Sequence, residues 1–175
     1  MRLRRWIVLV AVGPWMLLTG CLMRINDGGD STSFSAAKKA AVEQDLRRFA
    51  STVARDVTQE GPAAWQKHFA DSPSFFMASE GTLQFPNRQS VAHGIDDLTH
   101  TIQHIELIWG EDLRVDPLTA DFAVVASSWH EVVVDKQGHQ TTESGFFTGL
   151  AERRNSQWQF RNAHWSVASP PPRVL

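Results

Sequence analysis

Hydrophobic residues recur at helical spacing near the start of the chain's main apolar pattern. Val42, Leu46, Phe49, Val53 and Val57 follow one another at intervals of three or four residues. This spacing predicts a long amphipathic helix with one apolar stripe. Ser35 is a suitable N-cap for this helix, and Gly61-Pro62 is expected to end it.

Two more helices are predicted after this one, and a hairpin separates them. Pro62 is a favourable first residue for a short helix over Ala63 to Phe69. Glu80-Gly81 lies between two apolar runs, which indicates a tight turn between two short strands. A third helix is expected to begin near Asn87, with these inward positions: Val91, Ile95, Leu98 and Ile102.

The second half of the chain has the patterns of long β-strands. Strands are expected over 105–109 with 113–115, 122–134, 141–153 and 158–167. Gly110 indicates a bulge in the first of them. Helices followed by sequential strands predict an α+β fold, in which a curved antiparallel sheet wraps over three N-terminal helices. Such a sheet leaves a concave pocket suited to a small molecule.

The N-terminus has the pattern of a targeting segment. A basic start, Met1 to Arg5, precedes an apolar run from Trp6 to Leu18, which is shorter than the roughly 20 residues of a membrane-spanning helix. Leu18-Thr19-Gly20-Cys21 resembles the lipobox of bacterial lipoproteins, in which the cysteine is lipidated and becomes the new N-terminus. We therefore expect a membrane anchor at Cys21.

The sequence pattern predicts four segments in the chain. Residues 1–20 are expected to be a lipoprotein signal peptide, 21–34 a flexible tether, 35–168 the folded domain and 169–175 a Pro-rich tail. By resemblance to Gram-negative sorting rules, Leu22 after the cysteine favours the outer membrane, facing the periplasm. The expected location is the bacterial cell envelope.

The composition of the chain argues against several classes of partner and site. The formal net charge is -2 and no Lys/Arg-rich patch follows the N-terminus, so the basic face that nucleic-acid binding requires is missing and no nucleic-acid partner is expected. Cys21 is the single cysteine, and its use as an anchor would leave the domain without a thiol. No cofactor and no metal site are expected, because the pairs available, such as His100 and His104, match no metal-binding motif.

Several strings resemble one fold family. They are SPSFFMASEGTLQFPNRQSV (72–91), LRVDPLTADFAVV (113–125), GFFTGL (145–150) and WQFRNAHWS (158–166). In this order they resemble the nuclear transport factor 2-like superfamily, specifically its SnoaL-like branch. The resemblance implies a cone-shaped pocket and often a homodimer. It implies no single activity, because the fold hosts isomerases, cyclases, dehydratases and non-catalytic binders. Tyrosine is absent, which excludes the tyrosine-based oxyanion hole of ketosteroid isomerase-type members.

The last strand offers polar candidates for the pocket. Strict alternation places these residues on the inner face: Trp158, Phe160, Asn162, His164 and Ser166. The other face would then carry Gln159, Arg161, Ala163 and Trp165. His164 could act as a general acid or base near neutral pH, or it could simply be satisfied by a neighbour.

The middle strand offers a carboxylate. In Trp129-His130-Glu131, either His130 or the other two side chains point inward. We favour Trp129 and Glu131, because a tryptophan is costlier to leave in water. A carboxyl group in an apolar cone would have a raised pKa and could move a proton. Glu143 and Asp71 are weaker candidates. The expected ligand-binding residues are Trp129, Phe147, Trp158, Asn162 and Ser166, and the catalytic candidates are His164 and Glu131.

Three functions remain open on this basis. The leading hypothesis is a lipid-anchored envelope protein that binds a small, largely apolar molecule in its cone. The second is an enzyme that transfers a proton next to a carbonyl, as an isomerase, cyclase or dehydratase, with His164 and Glu131. The third is a non-catalytic dimerisation or protein-interaction module.

Overall fold

A computed structural model describes residues 34–168. The expected signal peptide, Cys21, most of the expected tether and the Pro-rich tail lie outside the described residues. No helix within 34–168 is long and apolar enough to cross a membrane.

The first helix forms as its apolar stripe predicts. Helix α1 spans Ala36–Glu60, and the side chain of Ser35 accepts a hydrogen bond of 3.3 Å from the backbone N–H of Lys38. Four stripe residues are buried: Val42, Leu46, Val53 and Val57. Gly61 ends the helix with a φ of 77°, a conformation that glycine adopts at low cost, while its N–H donates to the carbonyl of Val57.

Short elements follow and place a hairpin and a helix near one end of the sheet. A 3₁₀ turn, Pro62–Ala64, leads into α2, Trp65–His68. Strands β1, Phe76–Ser79, and β2, Thr82–Phe85, form the hairpin with Glu80-Gly81 at its turn. Helix α3 spans Arg88–Thr101, and Asn87 and Ser90 form a reciprocal capping box at its start.

Five further strands complete one curved sheet. They are β3, Ile102–Trp109; β4, Arg114–Pro117; β5, Phe122–Asp135; β6, Gln140–Arg154; and β7, Gln157–Val167. The strand order is β2-β1-β7-β6-β5-β3, and β4 pairs with the other end of β5. Gly110 lies between β3 and β4, so the expected interruption is present.

One pairing differs from the expected antiparallel arrangement. Strand β1 runs parallel to β7, with Phe76 opposite Asn162 and Ser79 opposite Trp165. The sheet is therefore mixed, although its other pairings are antiparallel. Because β2, α3 and four further strands separate β1 from β7 along the chain, their pairing cannot be predicted from a local turn.

Aromatic side chains fill the concave side of the sheet. The ring of Trp165 lies 4.8 Å from Phe147, 5.2 Å from Trp129 and 5.7 Å from Trp109, measured between centroids. These spacings are typical of favourable aromatic pairs. The cluster joins the central strands to α1, because Trp109 Nε1 donates to the carbonyl of Ala50 at 2.9 Å.

Candidate functional site

A cavity of about 230 Å³ lies between the concave face of the sheet, the hairpin and helix α3. Most of its wall is apolar or aromatic. Its lining includes Trp65, Phe69, Met77, Phe85, Ile95, Leu98, Ile102, Ile105, Trp129, Val133, Trp165 and Val167. The polar side chains in the wall are those of Ser79, Glu131 and Glu143, together with the indole N–H groups. A concave, mostly apolar site with a few polar groups is the usual form of a small-molecule site.

Two carboxylates meet in this cavity because of the β5–β6 register. Glu131 on β5 is directly opposite Glu143 on β6, and both line the cavity. Burial in the apolar wall, together with the smaller effect of the charge of Glu143, raises the pKa of Glu131 to about 7. Glu131 can therefore exchange a proton near neutral pH, which an ordinary surface glutamate does not do.

The side chains of strand β5 alternate between the two faces of the sheet in the predicted orientation. Trp129 is 4% exposed and lines the cavity together with Glu131 and Val133. His130 is exposed on the opposite face of the sheet. The orientation expected for Trp129 and Glu131 is confirmed, while the catalytic role of Glu131 stays a prediction.

Strand β7 does not alternate as predicted. In its pairing with β6, Asn162 lies opposite Leu150 and Phe160 lies opposite Ala151, so Arg161 is an extra residue. This β-bulge reverses the two faces beyond it. Ala163 is buried and Trp165 joins the aromatic cluster, whereas His164 is exposed. The strict alternation predicted for this strand is therefore wrong beyond Phe160.

The three polar residues expected in the cone lie elsewhere. The side-chain oxygen of Asn162 accepts a hydrogen bond from the backbone N–H of Leu150 at 3.2 Å, beside the bulge. The hydroxyl of Ser166 donates to the carbonyl of Phe146 at 3.1 Å. His164 lies on the outer face, away from Glu131. The structure thus does not bring His164 and Glu131 together.

Two aromatic residues expected to line the pocket are core residues. Phe147 is fully buried, with its ring centroid 4.9 Å from that of Phe160. Trp158 is buried near the β6–β7 turn, where the guanidinium of Arg153 lies 5.3 Å from its ring centroid. Neither lines the cavity that holds Glu131. Of the expected pocket residues, Trp129 alone does so.

Sequence reasoning missed several cavity residues. Alternation without a bulge places Trp165 on the outer face, and the sequence favours Glu143 only weakly. The turn at 135–138 does not by itself give the pairing of Glu143, because a symmetric turn there would put Thr142 opposite Glu131. No sequence signal indicates that Met77 and Phe85 of the hairpin face the cavity.

A second group of titratable side chains holds α1 and α2 together. Asp56 Oδ2 lies 3.1 Å from His68 Nε2 and 3.0 Å from Lys67 Nζ, and Arg55 contacts its other oxygen. Burial alone would raise the pKa of Asp56, but hydrogen bonds from Lys67 and Arg55 lower it. Burial also lowers the pKa of His68, so its neutral ring donates to Asp56. Every member has a partner, which is typical of a structural network.

Within 34–168, no group of three or more His, Cys, Asp or Glu side chains is placed to hold a metal ion.

A second depression, of about 470 Å³, lies on the outer face of the sheet. Ile108 and Phe146, respectively 48% and 42% exposed, lie beside His130 and Ser166 there. It carries no carboxylate and lacks the aromatic enclosure of the cone cavity.

Comparison with known proteins gives no match to a family model and no match to a curated protein sequence. Solved structures do match. A nuclear transport factor 2-like superfamily protein from Salmonella enterica serovar Typhimurium has a TM-score of 0.64 at 14% identity, over 77% of this chain and 96% of that one. A conserved protein from Planctomyces limnophilus has a TM-score of 0.62 at 14% identity, over 74% of this chain and 98% of that one.

An enzyme structure is similar as well. A hexachlorocyclohexane dehydrochlorinase has a TM-score of 0.51 at 15% identity, over 73% of this chain and 99% of that one. Identities this low establish architecture and leave activity open. The three N-terminal helices, the curved sheet and these neighbours agree with the resemblance seen in the sequence, and the chain has the nuclear transport factor 2-like fold.

Proposed function

We propose that the domain binds a small, largely apolar molecule in the cone cavity, with the polar end of that molecule at Glu131. The observation that carries this proposal is the cavity itself, which combines an apolar wall with one carboxyl group of shifted pKa. Ligand binding there would remove apolar surface from water, at about 25 cal/mol per Å². The neighbouring structures support a domain of the small-molecule binding or enzyme kind.

Filling the cavity tests this proposal. Val133→Trp places an indole in the cavity from β5, and we expect it to weaken binding of a neutral aromatic probe, 2-phenylethanol, at least about tenfold. Val132→Trp is the matched control, since it puts the same ring on the outer face of the same strand. Isothermal titration calorimetry measures both variants. Equal probe binding by wild type and Val133→Trp would place the ligand elsewhere.

A second candidate function is proton transfer next to a carbonyl. The pKa of about 7 at Glu131 favours it, because a general base works best when its pKa is near the working pH. His164 is not part of this version, since it lies on the outer face. The test is exchange of the α-protons of a cyclic ketone into D₂O, followed by NMR. Exchange that is as fast with Glu131→Gln as with wild type would rule this candidate out.

We further propose that Cys21 carries lipid and anchors the domain in the bacterial envelope, on the outer membrane facing the periplasm. Support comes from the order of basic start, apolar run and Leu18-Thr19-Gly20-Cys21 in the sequence. When the full chain is expressed in a Gram-negative bacterium, Cys21→Ser is expected to lose both incorporation of an alkyne-labelled fatty acid and its place in the membrane fraction. Ser31→Ala, in the expected tether, should keep both. Labelling of Cys21→Ser equal to wild type would contradict the anchor.

A homodimer is proposed through the outer face of the sheet. The exposed side chains of Ile108 and Phe146 favour it, because apolar groups grouped on a strand face commonly mark an interaction surface. Phe146→Glu should then shift the protein from dimer to monomer in sedimentation velocity. A wild-type protein that sediments as a monomer would exclude this dimer.

A further inference from the structure

The ionisable side chains that line the cone cavity are all acidic. Its lining contains two carboxylates, Glu131 and Glu143, and none of the lining residues is a lysine, arginine or histidine. The two glutamates are direct cross-strand partners, a position in which Cβ atoms are about 5 Å apart and like charges repel. An apolar cavity that concentrates negative charge is selective against anions and favourable to cations.

Glu131 has no partner within the described part of the chain. Burial and the charge of Glu143 are the two influences on its pKa, and no hydrogen bond or cation within 34–168 acts on it. A carboxylate in this position is costly when ionised, because it has lost water without gaining a partner. A bound cation would supply the missing partner.

The walls of the cavity suit an organic cation rather than a metal ion. Trp65, Trp129 and Trp165 line it, together with Phe69 and Phe85. Indole rings attract ammonium groups through their π faces and also bury aliphatic or aromatic carbon. A hydrated metal ion would need several oxygen ligands, and this wall provides few.

We propose that the ligand class of the cone cavity is a small hydrophobic amine, whose ammonium group pairs with Glu131 beside Glu143 while its carbon body lies against the tryptophans. This inference rests on the proposed binding function and names the chemistry of the ligand. It also gives Glu143 a role, which is to keep the cavity negative when Glu131 is protonated.

The affinity of the cavity for an amine should depend on pH. The titratable side chains in the cavity wall are Glu131 and Glu143, from β5 and β6, and α3 and the hairpin contribute none to it. An amine remains protonated well above pH 8, whereas Glu131 loses its proton around pH 7. Affinity for the amine should therefore rise between pH 6 and pH 8 and then level off.

Three probes that share a phenyl group test the inference: 2-phenylethylamine, 2-phenylethanol and 3-phenylpropanoate. At pH 8, calorimetry with the wild-type domain should show the amine binding at least about tenfold more tightly than the alcohol, with the carboxylate weakest. Glu131→Gln should remove the preference for the amine over the alcohol. Glu106→Gln, on the exposed side of β3, is the matched control and should behave as wild type.

Each contrary outcome has a distinct meaning. Equal affinity for amine and alcohol in the wild type would overturn the cation inference while the proposed apolar-ligand function stands. A preference for the amine that persists in Glu131→Gln would overturn the assignment of Glu131 as its partner. If no probe binds to the wild type, the cation inference and the proposed function fail together.

Discussion

Replacing Phe147 with alanine is expected to lower the free energy of unfolding by about 3–5 kcal/mol. Phe147 is fully buried at the centre of the sheet, and its ring centroid lies 4.8 Å from Trp165, 4.9 Å from Phe160 and 5.3 Å from Trp109. These neighbours are anchored on two other strands, β3 and β7, so they cannot collapse into the space that the ring leaves. Urea denaturation followed by tryptophan fluorescence measures the change.

Phe146 provides the matched control for this change. It is the preceding residue on β6, but its side chain lies on the outer face and is 42% exposed. Phe146→Ala should therefore cost less than about 1 kcal/mol, as surface changes do. The comparison is made at concentrations low enough to keep the protein monomeric. Equal losses for the two variants would contradict the orientation of β6.

The predictable parts of the fold are those set by local chemistry. The stripe of α1, the Ser35 cap and the stop at Gly61 depend on residues close in sequence, so the pattern of the chain was enough to place them. The third helix began at Asn87 as expected, yet Leu98, expected to point into the core, is 39% exposed at the cavity. A helical stripe indicates which face is apolar, and it does not indicate whether that face meets packed core or an open cavity.

The face of β7 could not be predicted, because it depends on its partner. Trp158 and Phe160 face inward as alternation requires, and the extra residue at Arg161 then moves Ala163 and Trp165 to the inside. A bulge is a property of two paired strands, and nothing in the residues around Arg161 marks it. The same bulge moved His164 out of the cone and so removed one of the two expected catalytic residues from the site.

The unpartnered carboxyl group of Glu131 should make stability depend on pH. Its pKa in the folded protein is about 7, against an ordinary value of 4.5. The folded state therefore holds a proton that the unfolded state releases, and stability is lost as pH rises from about 4.5 through 7. Between pH 5 and pH 8, this one group is expected to lower the free energy of unfolding by about 2–3 kcal/mol.

Glu131→Gln separates this effect from every other titration in the domain. Glutamine is close in shape and does not ionise, so the variant should lack this decline between pH 5 and pH 8 and should be more stable than the wild type at pH 8. Glu106→Gln, on the exposed side of β3, should retain the wild-type decline. Denaturation curves at four pH values give the free energy of unfolding of the wild type and both variants. Parallel profiles for wild type and Glu131→Gln would mean that Glu131 is solvated or paired in solution. The cone would then hold neither a proton donor near neutral pH nor an unmatched charge for a cationic ligand, because both properties depend on the same desolvated carboxyl group.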